Sequence, residues 1–193
     1  MAEPFTYGRR GITGRLEEPE RELLRGLFND VIGMLDPGTG DQDPLEALVG
    51  LSPHAKEPED PALARLLPNA FKDDPEAALD FRRLTERSLR EGKAGALRAA
   101  ALSLESRHLV LDDAAAQHWS TALNDVRLVL ASRLGIRSEE DAEKVHAITD
   151  WSAAEDVEAY LALVYNFVTW LQTTLIEAML DARRVRSQGS GHE

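Results

Sequence analysis

DDPEAALDFRRLTERSLREGKAGALRAAALSLESRHLVLDDAAAQHWSTALNDVRLVLASRLG, residues 73–135, decides the fold. Asp74-Pro75 opens a long helical segment, proline being suited to the first helical turn. Leu79, Leu84, Leu89, Leu97, Ala100 and Leu104 then recur at helical spacing and predict an apolar stripe. Gly92 and Gly95 weaken that helix, at about 1 kcal/mol each relative to alanine. They leave room for another helix to approach closely. Leu109-Val110-Leu111 breaks the period. Asp112 or Asp113 caps a second helix, and Gly135 ends it in the C′ position. Trp119, Ala122, Leu123, Val126, Leu130 and Leu134 form its expected buried face.

Upstream, Glu18-Pro19 starts a helix with Leu23, Leu24, Leu27, Phe28, Val31, Ile32 and Leu35 on one face, and Asp36-Pro37-Gly38 ends it. Residues 36 to 60 read as an acidic, loop-rich region, partly disordered, with two helical turns over Leu45 to Leu51. Asp60-Pro61 restarts a short helix that stops at Pro68. Downstream, Ser138 begins a shorter helix with acidic residues in its first turn. Ser152-Ala-Ala-Glu155 is a capping box for a last helix over roughly 153–184. Val157, Tyr160, Leu161, Val164, Phe167, Val168, Leu171, Leu175 and Met179 make its apolar stripe, and residues 185–193 read as a disordered tail. The first seventeen residues mix aromatic and β-branched side chains with glycines, as a short hairpin or an extended arm does. Phe5 and Tyr7 there are candidate core plugs. The expected fold is all-α: one domain over 18–184, a bundle of four main helices plus short ones, with that arm or hairpin in front.

The chain has 193 residues and a formal net charge of −12, from 34 acidic and 22 basic residues. That size suits one domain with a full core. The charge argues against a bulk nucleic-acid binder, which needs cations to replace counterions on phosphates. There are no cysteines, which excludes disulfides, zinc ribbons, Fe–S clusters and thiol chemistry. No apolar run in the first thirty residues suits a signal peptide. Tyr160 to Leu180 is long enough to span a bilayer, but Asn166, Gln172, Glu177 and three threonines favour a buried helix. The expected compartment is the cytosol.

Chemical motifs are sparse. There is no Gly-rich phosphate loop, no G-x-S-x-G and no H-E-x-x-H. Glu105/His108 and Glu143/His146 are two Glu-x-x-His pairs, the spacing that di-iron bundles use, and they offer a ferritin-like alternative. Chance pairing among many glutamates is the plainer reading, so no metal and no cofactor is assigned. Asn124, Asp125 and Arg127 cover several faces of one helix and form either a polar network or a partner patch. Arg82, Arg83, Arg87, Arg90, Lys93 and Arg98 make one helix locally basic. They read as a solvated, salt-bridged face or as a contact for an acidic partner. Arg9 and Arg10, with Arg15, could extend that contact from the N-terminal arm. Trp119, Trp151 and Trp170 read as core or interface anchors. Trp170 and Leu163 lie off the last helix's main stripe, which leaves a homodimer open.

The runs DPALARLLPNAFKDDPEAALDFRRLTERSLREGKAGAL and LDDAAAQHWSTALNDVRLVLASRLGI carry a family likeness. Its motifs are the Leu66-Leu67-Pro68 stop, Phe81-Arg82-Arg83-Leu84-Thr85-Glu86, the Leu89-Arg90 and Lys93 pattern, and Leu123-Asn124-Asp125-x-Arg127-Leu128. The Arg133-Leu134-Gly135 helix end and the closing Trp170-Leu171-Gln172 complete it. From about Glu18 to Met179 the chain resembles the actinobacterial AosR-type oxidative-stress transcriptional regulators. That family was long a domain of unknown function and is commonly encoded beside the Clp adaptor ClpS. The resemblance implies a cytosolic, non-enzymatic regulator. It would act through protein contacts with RNA polymerase or a sigma factor, with any DNA contact weak or indirect. An accessory of Clp proteolysis is the alternative. Direct oxidant sensing usually needs low-pKa thiols, which this chain lacks. Met34 and Met179 are oxidisable but are expected to be buried.

Overall fold

Trp119 sits where the chain's distant parts meet. The computed structural model describes residues 2–36, 56–151 and 156–189. Among them are helices α1 (Glu18–Leu35), α2 (Pro61–Leu66), α3 (Pro75–Ser103), α4 (Asp113–Arg133), α5 (Glu139–His146) and α6 (Val157–Gly189). Three strands accompany them: β1 (Glu3–Gly8), β2 (Gly11–Arg15) and β3 (His108–Leu111). The Trp119 indole on α4 is buried against the rings of Phe5 on β1 and Phe28 on α1, edge-on, at 5.5 and 5.8 Å. Its Nε1 donates to Ser103 Oγ at the end of α3, 2.8 Å away.

The helix starts are local events, and those of α1 to α5 fall where the sequence places them, whereas α6 begins at Val157, with Asp156 accepting from Ala159 N–H at 2.7 Å. Asp74 accepts from Ala77 N–H at 3.0 Å and Asp112 from Ala115 N–H at 2.8 Å. Ser138 and Asp141 form a reciprocal capping box. Each side chain satisfies an amide that has no partner inside its helix. Gly135 ends α4 with φ +68, a left-handed conformation that favours glycine. The capping box at 152–155, the turns at 45–51 and most of the acidic region lie outside the described residues.

The all-α expectation is corrected. The N-terminal segment is a hairpin, and β3 adds a third strand, giving an antiparallel sheet in the order β1-β2-β3. Ile12 faces Leu111 and Arg15 faces His108. Leu109 and Leu111 point inward while His108 and Val110 point out, the two-residue alternation of a half-buried strand. What reads as a break in helical period is therefore a strand whose partner lies over ninety residues earlier. The sheet packs chiefly on α6, through β1, with Phe5 and Ile12 in the core.

Gly14 is fixed by this packing. A Cβ there would lie 2.7 Å from the buried Phe5 ring. We expect Gly14→Ala to cost about 1–3 kcal/mol through overpacking, read as a lowered urea midpoint. An unchanged midpoint would show that the hairpin does not pack on the core as described.

Three smaller expectations also change. Helix α6 runs on to Gly189, so the first residues of the expected tail are its last turn. Only Trp119 is a core tryptophan; Trp151 and Trp170 are largely on the surface. Met34 and Met179 are half-buried rather than buried. By length and composition α6 could cross a membrane, but half of its most apolar window is buried inside the molecule, as in a core helix.

Candidate functional site

The basic stretch of α3 was the strongest candidate surface, and the structure turns half of it inward. In the first half of α3 the buried side chains are Ala78, Arg82 and Glu86, while Leu84 and Leu89 face solvent. The cause is the carbonyl groups at neighbouring helix ends. Arg82 donates to Leu67 O, just past α2, at 2.9 Å and to Asn69 Oδ1 at 2.7 Å. Arg90 donates to Leu35 O, at the end of α1, at 3.1 Å. Glu86 lies between them, one oxygen 2.8 Å from Arg82 and the other 2.7 Å from Arg90. A helix end leaves carbonyls without intrahelical partners and a partial negative charge. Helix α1 has no basic residue in its own last turn, so Arg90 supplies the cation from α3.

The same device recurs elsewhere. Arg21 and Arg25 on α1 donate to Leu104 O at the end of α3, at 2.9 and 3.2 Å. Arg65 on α2 donates to Ile136 O beyond α4 at 2.7 Å. These arginines hold helices in register, and burial of their stems adds packing.

Lower on α3, Lys93 Nζ lies 2.6 Å from Oδ1 of Asp125, which is 0% exposed. Burial pushes the Asp125 carboxyl above the usual carboxylate range, and Lys93 pulls against that shift. On the other side of α4, Arg127 donates to the buried Gln172 Oε1 on α6 at 2.8 Å. Asn124 is half-buried. Of the ten expected partner-binding residues, Arg82, Arg90, Lys93, Asp125 and Arg127 thus belong to a polar framework between helices. Arg83 and Arg87 remain on the surface, paired along the helix with Asp80 and Glu91.

Arg9 and Arg10 are exposed at the hairpin tip. They do not extend the Arg82–Arg90 region. That region sits at the C-terminal end of α1, whereas the tip lies by the start of α4 and the end of α6. There, Tyr7, Arg10, Ile12, Val110, Asp113 and Arg186 line an open cleft of about 400 Å³. Arg186 grips Asp113 with both terminal nitrogens, Nη2 at 2.7 Å from Oδ1. That contact holds the Asp113 carboxyl below its usual range. No motif links residues 10, 113 and 186 in sequence, so the cleft was not legible there.

The metal alternative is corrected. Glu105 lies in the turn after α3 and His108 opens β3, so the first pair does not share a helical face. His146 Nδ1 is 2.7 Å from Asn166 Oδ1 on α6. Among the described residues no three histidine or carboxylate side chains are grouped to hold a metal.

Over residues 2–179 the sequence that builds this framework matches a protein-family model. The chain belongs to that family, described as Domain of unknown function (DUF2017). Its relatives include the "Putative oxidative stress regulator AosR" of Mycobacterium leprae, 34% identical over 179 residues, 83% of this chain and 79% of the relative. The "Oxidative stress regulator AosR" of Mycobacterium tuberculosis is 32% identical over 184 residues, 85% of this chain and 80% of the relative. No solved structure matches the chain.

Proposed function

We propose that this protein is a cytosolic, non-enzymatic regulator in the oxidative-stress response, transcription-associated and acting through contact with RNA polymerase or a sigma factor. The observation that carries the reading is the likeness to the AosR regulators over more than four-fifths of the chain. The net charge of −12 favours a protein over a DNA partner. With no cysteine in the chain, the oxidant signal reaches it through that partner rather than through a thiol of its own.

The hairpin-tip cleft is the contact surface. Arg9 and Arg10 project there from an otherwise acidic molecule, beside an apolar wall of Ile12 and Val110. The test is a pull-down of tagged protein from host lysate, wild type beside Arg9→Glu/Arg10→Glu. RNA polymerase or sigma subunits should co-purify with the wild type, and the charge reversal should lower their recovery about tenfold or more. Recovery of Clp components instead, or of neither, would overturn the reading.

A further inference from the structure

The solvent face of α3 has features that nothing among the described residues uses. Leu84 and Leu102 are 63% and 69% exposed, one towards each end of the helix. Between them on the same face lie Ser88, Gly92, Gly95 and Ala99, at steps of four, four, three, four and three residues. Both glycines open onto empty space: no atom lies within 4 Å of where a Cβ would be. Glycine is disfavoured inside a helix, and among the described residues no neighbouring helix exploits the close approach it permits.

We infer that this face is the interface of an antiparallel homodimer, α3 against α3 of a second copy. Three observations select a second copy as the occupant. The order of residue sizes reads nearly the same in both directions about the midpoint between Lys93 and Ala94. An antiparallel copy therefore sets Gly92 against Gly95, Ser88 against Ala99 and Leu84 against Leu102. Small residues meet at the crossing, where helix axes come nearest, and leucines close both ends. The charges on the flank agree. The same two-fold brings Glu91 of each copy towards Arg98 of the other, and Arg83 towards Glu105. Arg98 and Glu105 have no ion-pair partner among the described residues. The stripe from Leu84 to Leu102 spans about 27 Å, a modest interface of the kind that gives reversible dimers. This inference is independent of the regulatory reading.

The absence of natural cysteines makes the register directly testable. Ser88→Cys and Ala99→Cys chains are prepared separately, mixed and mildly oxidised. The mixture should form a covalent dimer at least tenfold faster than either chain alone. In the antiparallel register position 88 faces 99, whereas identical positions are offset by about 16 Å along the axis. Sedimentation of the unmodified protein should show a concentration-dependent dimer. Leu84→Glu/Leu102→Glu should weaken it at least a hundredfold with unchanged helix content. Arg98→Glu should weaken it, and Glu91→Arg added to Arg98→Glu should restore it, a rescue that a folding defect would not produce. A monomer at hundreds of micromolar, or equal cross-linking of Ser88→Cys alone, would overturn the inference.

Discussion

Lys93→Met should lower stability by about 3–5 kcal/mol near neutral pH, the usual consequence of leaving a buried charge without its partner. Asp125 is wholly inaccessible, and Lys93 Nζ at 2.6 Å is its cation. The loss should depend on pH with a definite sign. Burial already raises the Asp125 pKa above its ordinary 3.8, and Lys93 holds the rise back. Without Lys93 the folded-state pKa climbs further. Between the unfolded and folded pKa values the folded state then binds more protons than the unfolded one. Stability contributed by this group rises as pH falls through the folded value, and is fully recovered only below the unfolded value. The gap between variant and wild type should therefore narrow as pH falls through the variant's folded value towards the ordinary 3.8. Urea titrations at several pH values measure it. A gap independent of pH would mean that the carboxylate charge is not what the lysine holds.

Trp119→Ala should cost about 3–5 kcal/mol, the range for removing a large aromatic side chain from a core. The side chain does more than fill volume. It joins α4 to β1 through Phe5, to α1 through Phe28 and to α3 through Ser103. Phe5 seats the hairpin on α4 through this ring, so the hairpin amides should lose hydrogen-exchange protection before those of α4. Trp119→Phe separates the contributions. Ser103 Oγ still donates to Ala100 O at 2.7 Å, so no buried polar group is stranded, and about 1–2 kcal/mol is expected. If hairpin protection is unchanged in Trp119→Ala, the Phe5–Trp119 contact is not what holds the hairpin to α4.

The contrast between these two residues shows what could be read in advance. Trp119 lies on a helix face whose period is regular, and sequence periodicity places it in the core. Asp125 is on the same helix, and its burial is legible only as one member of a polar run that covers several faces. Its partner on α3 is not legible, because nothing local couples residues 93 and 125. On α3 the leucine stripe misleads over its first half. Leu84 and Leu89 have the right spacing for burial, yet Arg82 and Glu86 take the inward positions.

By itself the sequence determined where helices α1 to α5 start and that the chain is mostly helical. Those signals act within one helical turn: a capping aspartate or serine, a proline in the first turn, a glycine at the end. It also excluded thiol chemistry outright. Only the tertiary structure decided three things: the pairing of β3 with the hairpin, the cleft shared by Arg10, Asp113 and Arg186, and the inward turn of Arg82 and Arg90. The reason is physical. Each depends on groups far apart in the chain, and above all on carbonyls at helix ends, which seek donors wherever packing delivers them. An arginine that reaches such a carbonyl becomes structural, and that role arises only once the helices are side by side.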